Sequence, residues 1–495
     1  MTAGPGHAVT PGRDEFRALA AGGRYVPVHR DVPADHETPV SAFRKLDDGR
    51  HAFLLESLEG GEKWGRFSVL GSRPALVFTA RGERCEITEG GVTHPCAGPP
   101  LDELRALLAA RQAVALPGLP RFCGGAVGYL GWNAARWFEG RPVTRPTESE
   151  PPDAVFLVTG VVTVFDHVSH TVKVVTHARG GNDPDEAWAA AVGRLDAEIA
   201  RLQAPLGWPA PVAPAQLEPP ASSSTPEEFG SAVERARAHI RAGDVLQLTL
   251  ARRLSVPVRV PAFEVYRALR LTTPSPYGHF LRLGDLCLAG SAPGSLVRRT
   301  EDVIEAHVLA GTRPRGRTAE EERRLTEELR AGERERAAHV LRVDLARSDV
   351  GHLAEPGTVG TRQWMEVERH SQALHLASSV HGRLRQDVGP LDLVRACFPA
   401  AGDCGAPRAR ALDLIEQLEP VSRGVHTGAV GYFDQRGGLD LCSSAHTLAL
   451  AGGRADWSAG AVIAADTDPE AAWRETRDQA RGPGLALRRA AGAER

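Results

Sequence analysis

Lysine is almost missing from this chain: of 59 Lys plus Arg, only Lys45, Lys63 and Lys173 carry an amine, and none follows Lys173. A Schiff base, a lysine nucleophile or a lysine general base in the C-terminal half is thereby excluded. An excess of one charge is missing too. With 62 Asp plus Glu the formal net charge is −3, which leaves no basic surplus of the kind that wraps nucleic acid or anionic lipid. Cysteine is sparse and scattered. Cys85, Cys96, Cys123, Cys287, Cys397, Cys404 and Cys442 are odd in number and never spaced Cys-x-x-Cys, which fits neither a disulfide framework nor a zinc ribbon. Reduced thiols in a cytoplasmic protein are expected. No apolar run is long enough to span a bilayer. The most apolar stretch, residues 154–165, is short and β-branched, and predicts one strand or two. The opening residues 1–7 lack a basic region followed by an apolar one, so no secretory signal is expected. Phosphate-binding Gly-rich loops ending in Lys, His-Glu-x-x-His and Gly-x-Ser-x-Gly are also lacking, so common chemistry is not advertised.

What is present is globular: 42% hydrophobic and 24% charged residues over 495 positions predict more than one core or one unusually large one. Prolines crowd residues 205–220 and three serines follow, Ser222, Ser223 and Ser224. Residues this poor in backbone donors cannot continue a helix or a sheet, so 205–224 reads as a linker. The chain divides accordingly into a disordered start (1–13), an N-terminal region (14–204) and a C-terminal domain (225–491). That domain opens with a helix: Thr225 can cap, Pro226 suits the first turn and Glu228 sits where a capping-box carboxylate reaches back. Gly243 ends it. Strands are expected at 51–55, 75–78, 245–254, 286–289, 428–433 and 447–450, and helices at 101–112, 184–202 and from Thr318, with Glu321 as its capping-box partner. The fold class is α/β of the α+β type.

The segment 310–316, Ala-Gly-Thr-Arg-Pro-Arg-Gly, reads on its own as a turn. Lying between a strand and the capped helix, it offers backbone N–H groups, the Thr312 hydroxyl and two guanidinium forks that suit a carboxylate. Together with Val343-Asp344-Leu345-Ala346-Arg347-Ser348-Asp349-Val350-Gly351, Gly405-Ala406-Pro407, Glu416-Gln417-Leu418-Glu419-Pro420, Gly428-Ala429-Val430-Gly431-Tyr432-Phe433 and Ala465-Asp466-Thr467-Asp468-Pro469-Glu470, in that order, it resembles component I of anthranilate synthase, in the chorismate-utilising enzyme family. The likeness runs from about Arg24 to the C-terminus. It implies the anthranilate synthase component I fold, two face-packed antiparallel β-sheets with helices outside, and a chorismate pocket in the C-terminal half. Isochorismate and salicylate synthases carry a water-activating lysine where this chain has Gln247, and aminodeoxychorismate synthases carry a nucleophilic lysine where it has Ala310. The resemblance therefore points to the anthranilate synthase branch, in which tryptophan binds the N-terminal region. Leu54, Leu55, Glu56 and Ser57, with Pro274, Ser275, Pro276 and Tyr277, look like that effector site, although Thr273 and Gly278 replace its usual Asn and Met. Interface packing is the competing reading.

The same resemblance exposes departures. The family's reaction needs Mg²⁺ on the ring carboxylate, a general acid near the departing hydroxyl and an anchor for the enolpyruvyl carboxylate. The family's general-acid Glu corresponds to Gly294, which has no proton to give. The two Glu-x-x-Glu metal pairs correspond to Glu335 with Ala338 and to Ala472 with Glu475, so each has lost a carboxylate and Mg²⁺ binding should be impaired. The anchoring Arg corresponds to His446. Arg408 replaces a Lys, Ser348 an Asn and Val462 a Gly. Retained are the family's catalytic histidine, as His375, and also Thr312, Tyr432 and Gly460. The expectation is a diverged anthranilate synthase component I-like protein that binds a chorismate-like cyclic carboxylate and is repurposed for a non-standard, metal-independent reaction in specialised metabolism. The expected catalytic residues are His375, Thr312, His446 and Arg408, with Gly311, Tyr432, Gly460, Gln247 and Arg342 in the binding site. Alternatives are a non-catalytic or regulatory subunit, and a genuine anthranilate or aminodeoxyisochorismate synthase using chorismate and ammonia. A separate glutaminase subunit would supply ammonia, no nucleic-acid or membrane partner is expected, and oligomerisation is left open.

Overall fold

Short β-branched runs separated by Gly-rich turns make strands that must bury at least one face, and here they assemble into two large sheets. The computed structural model describes residues 8–58, 66–141, 150–207, 217–370 and 373–492. Among these residues the sheets have 12 and 11 strands. The N-terminal strand His51–Glu56 pairs antiparallel with the C-terminal strand Tyr277–Leu283 in one sheet. Gly125–Leu130 pairs antiparallel with Ala429–Asp434 in the other. Both halves of the chain thus contribute strands to both sheets, and the edge that each half would otherwise expose is closed by the other. Side chains from the two sheets meet in a shared core that includes Phe53, Val69, Val127, Tyr129, Leu281, Leu288 and Val430.

The apolar stretch at 154–165 forms two strands, Ala154–Val158 and Val161–Asp166, which belong to different sheets. The helix Pro226–Arg241 has the expected capping box, with Thr225 Oγ1 accepting from Glu228 N at 3.2 Å and Glu228 Oε2 accepting from Thr225 N at 2.9 Å. Gly243 follows it at φ +81°. The helix Ala319–Ala331 departs from expectation. Thr318 caps Glu321 N at 3.1 Å, but the Glu321 carboxylate accepts from Arg317 N at 2.8 Å instead of from Thr318 N.

Two boundary expectations need correction. Residues 1–7 lie outside the described residues, but the rest of the start expected to be disordered is ordered: Thr10 bridges His29, with Thr10 N donating to His29 O at 2.9 Å, and Arg13–Ala20 is a helix. Of the expected linker, residues 208–216 lie outside the described residues, whereas Ala221–Ser222 pairs with the strand Gln247–Pro257. Backbone pairing holds the later part of each segment in the fold. All seven cysteines are free thiols. No helix among the described residues is long and apolar enough to cross a membrane.

Candidate functional site

The segment 310–316 is not the turn its composition suggests. The strand Val303–Pro314 runs through most of it, paired with Ala373–Arg383, and a bulge lies between Ala310 and Thr312. Gly311 sits there at φ +76°, a conformation that favours glycine. The extra residue resets the register so that Thr312 lies opposite His375, and Thr312 Oγ1 meets His375 Nδ1 at 3.1 Å. Burial, reinforced by His370 and His446, pushes the His375 imidazole down to about 4. It is therefore neutral at pH 7, able to accept a proton on one nitrogen and to donate a hydrogen bond from the other.

A second polar group adjoins this pair. The His370 ring stands edge-on to His375, centroids 5.5 Å apart. Glu368 bridges His370 (3.4 Å) and His307 (3.1 Å). Burial pushes the Glu368 carboxyl up, but its bonds to the two imidazoles outweigh that and hold it at about 2. His307 also explains what has become of the space beside Gly294: a Cβ built on Gly294 would lie 2.2 Å from His307 Nδ1. An imidazole fills the space beside Gly294. Gly294→Glu alone should therefore lower stability by about 1–3 kcal/mol through overpacking, and His307→Ala should restore part of it. Melting temperatures of the single and double variants measure this, and a single variant as stable as the parent would contradict the steric reading.

The helix Glu333–Gly351 presents Glu335, Ala338, His339 and Arg342 at i, i+3, i+4 and i+7, along one face. His339 Nε2 meets Ser378 Oγ at 2.7 Å, which docks this face on the strand Ala373–Arg383. Arg342 Nη1 donates to Leu309 O at 2.7 Å. Burial lowers the Arg342 guanidinium, and the nearby Asp403 and Glu475 carboxylates oppose that shift. Glu475 is open to solvent on the helix Pro469–Gln479, and desolvation still raises its carboxyl. His446 has an exposed surface although protein surrounds its ring; burial lowers it, with Asp403 opposing. His446 acts on the charge of His375, Glu475 on that of Arg342, and Asp403 on those of both His446 and Arg342.

The remaining expected residues divide. Gln247 is buried and donates from Nε2 to Ala401 O at 3.3 Å, so it supports the 399–404 segment. Gly460 is buried opposite Ala251, and its N donates to Gln479 Oε1 at 3.3 Å. Arg408 does not offer its guanidinium to a ligand: it pairs with Asp349 at 2.9 Å and donates to Pro399 O at 3.1 Å, tying down the start of the helix Arg408–Leu418. Tyr432 packs on Phe122, ring centroids 4.3 Å apart, and two strands, Ser295–Thr300 and Leu439–Ser443, separate its strand from Val303–Pro314 in the sheet. It is a packing residue, not a neighbour of His375.

The effector-like segments do meet. Leu55 pairs with His279 and Glu56 with Gly278 in register, Leu58 N donates to Ser275 O at 3.1 Å, and Ser275 Oγ meets Ser291 Oγ at 2.6 Å. Ser57 and Pro274 adjoin these contacts in sequence. Glu56 is buried and already accepts from Tyr266 OH at 2.7 Å and Arg270 Nε at 3.0 Å.

Mg²⁺ does not fit the residues present. Glu335 is held by Arg313 at 2.5 Å, Ala338 and Ala472 offer no oxygen, and Glu475 faces a guanidinium. No group of three or more His, Cys, Asp or Glu among the described residues could hold a metal ion. A hard cation needing about six oxygen ligands in octahedral array finds too few here. Sequence reasoning missed His307, Glu368, His370, Asp403 and His426. His426 is buried beside Arg423 and His446, and burial pushes its imidazole well below the usual range. Their separation along the chain gives no spacing signal.

Comparison with known proteins covers most of the chain. The model of the family described as chorismate binding enzyme matches residues 50–483. Anthranilate synthase component 1 of Acetivibrio thermocellus is 36% identical over 478 residues, covering 95% of this chain and 97% of that protein. The Streptomyces coelicolor protein of the same name is 39% identical over 496 residues, covering 98% and 93%. Among solved structures, anthranilate synthase component I from Streptococcus pneumoniae aligns with a TM-score of 0.74 at 31% identity, over 85% of this chain and 92% of that one. The menaquinone-specific isochorismate synthase MenF of Escherichia coli shares the fold, with a TM-score of 0.70 at 18% identity, over 96% and 98%. With a family model spanning most of its length and relatives this similar from end to end, the chain belongs to the chorismate binding enzyme family.

Proposed function

We propose that the protein binds a chorismate-like cyclic carboxylate beside Thr312, His375, His446 and Arg342, and acts on it without the Mg²⁺ and the carboxylic acid that the family's reaction uses. The observation that carries this reading is the pair Gly294 and His307, which puts an imidazole where a proton-donating carboxyl would have to stand. In this reading Thr312 orients the His375 ring, and neutral His375 moves the proton. Such a change of chemistry on an intact scaffold fits a role in specialised metabolism.

A second reading, a genuine anthranilate synthase subunit fed with ammonia by a separate glutaminase, is favoured by the 36–39% identity to curated relatives over nearly the full length of both chains. Incubation of the purified protein with chorismate, ammonium and Mg²⁺, followed by anthranilate fluorescence, separates the two. The first reading expects no anthranilate above the enzyme-free control. Sustained turnover would establish the second and discard the first.

A further inference from the structure

Two of the free thiols face each other across a hairpin at one edge of the 11-stranded sheet. The strands Arg84–Glu89 and Val92–Pro95 are joined by Gly90 and Gly91, at φ +59° and +85°, a two-residue turn that fixes the register. Glu86 lies opposite Pro95. One step further Cys96 N donates to Cys85 O at 2.9 Å, so Cys85 and Cys96 are directly opposed. Opposed residues project to the same face of a ladder. That face packs under the helix Pro100–Ala109: Cys85 is buried in one cluster with Leu104 and Leu107, and Cys96 packs against the same cluster while half-buried. In a hydrogen-bonded antiparallel pair the Cα atoms stand about 5.5 Å apart, inside the range of about 4.4–6.8 Å that a disulfide spans. The Cβ atoms, at up to about 5.5 Å, must close by roughly 1 Å, which stores strain in the bond and makes it easy to reduce.

We propose that Cys85 and Cys96 form a reversible oxidation site, closing a cross-strand disulfide in the presence of a peroxide and reopening with a small thiol. Cys96 is the entry point, being the more exposed of the two. Burial raises both thiols, Cys85 to about 12; their mutual contact adds to the rise at Cys85 and lowers Cys96, so Cys96 ionises first. The Cys96 thiolate attacks one peroxide oxygen, the O–O bond breaks, and a sulfenic acid and hydroxide form. The Cys85 sulfur then attacks the Cys96 sulfur, the S–S bond forms, the S–O bond breaks and the oxygen leaves as water. Two thiols and one hydrogen peroxide thus give one disulfide and two waters, with two electrons passing from sulfur to oxygen. Every residue of Val92–Pro95 is exposed, and this strand is the last in its sheet, so it is held from one side only. The disulfide pins that edge. Thr312 and His375 lie toward the opposite end of the same sheet, so the bond acts on the edge strand and not on the cleft.

The test treats the folded full-length protein with hydrogen peroxide, blocks the remaining thiols under denaturing conditions and maps its peptides without reduction. One cross-link, Cys85 to Cys96, is expected, with two of the seven thiols lost, and reduced glutathione is expected to restore both. Cys85→Ser is expected to stop at a sulfenic acid on Cys96, trapped with dimedone, and Cys96→Ser to leave Cys85 unmodified. Melting temperatures monitor the folding of each variant, and Cys85→Ala serves if Cys85→Ser is unstable. Amide exchange over residues 92–98, followed by mass spectrometry, is expected to slow at least about threefold in the oxidised protein. Thiols at 85 and 96 that stay reduced, a cross-link to a different cysteine, a disulfide that glutathione does not open, or unchanged exchange at the edge strand overturns the proposal.

Discussion

Arg423→Met is expected to cost about 3–5 kcal/mol of folding stability, the loss seen when one partner of a buried ion pair is removed and the other is left uncompensated. Arg423 and Glu419 are 2% and 6% exposed and lie 2.6 Å apart. The arginine also donates to Thr249 O at 2.6 Å, Asp403 O at 2.7 Å and Thr427 Oγ1 at 3.1 Å, and its guanidinium carbon lies 4.3 Å from the centre of the Trp132 ring. Glu419 in turn accepts from Ala251 N at 2.8 Å. One side chain thus joins the strand Gln247–Pro257, the end of the helix Arg408–Leu418 and the segment that carries Asp403. The midpoint of urea unfolding measures the effect. The double variant Arg423→Met with Glu419→Leu should lose less than the single, because no lone charge remains buried. A double variant worse than either single would mean that the pair itself is strongly favourable, contrary to this account. Because Asp403 neighbours both Arg342 and His446, ligand affinity should fall along with stability in Arg423→Met.

Acidification should be the second large effect. His279 is buried, with its Nε2 3.0 Å from Thr447 Oγ1, and His339 is buried against Ser378; desolvation pushes both down to about 4. In the unfolded chain each returns to about 6.5. Between about pH 4 and 6.5 the unfolded state therefore binds more protons than the native one, so stability rises with pH across that window. In the other direction it is lost as pH falls through 6.5 toward 4. From pH 7 to pH 5 each of these two histidines should remove about 2 kcal/mol. His375, lowered in the same way, adds to the trend. Urea midpoints measured at pH 7, 6 and 5 check it. His339→Gln should remove only its own share of the loss, about 2 kcal/mol between pH 7 and pH 5, since an amide does not titrate there. A midpoint constant over this range would show that these imidazoles are not held neutral.

The capping box at Thr225 and Glu228 was legible because its partners are three residues apart and any chain passing through that helix start brings them together. The cap at Thr318 was equally legible, yet the Glu321 carboxylate turned to Arg317 N, because the backbone before the cap offered another donor within reach. The two strands at 154–165 were readable from β-branching, but not their division between two sheets, which depends on pairing partners far along the chain. Within the site, Thr312 and His375 were named through the family likeness, whereas their contact depends on a one-residue bulge at Gly311. Arg408 and Tyr432 were named on the same grounds and proved to have other work: salt-bridging Asp349 and packing on Phe122.

By itself the sequence determined the family, the mixed architecture, the absence of any lysine chemistry in the C-terminal half and the presence of Gly, Ala and Ala at 294, 338 and 472, since each follows from residue identity at a given position. Only the tertiary structure decided what stands beside Gly294, the His307 ring. The physical reason is the range of the interactions. Caps and helix faces are set by neighbours within a turn, while the occupant of a vacated volume is set by sheet register and helix docking between segments far apart in the chain.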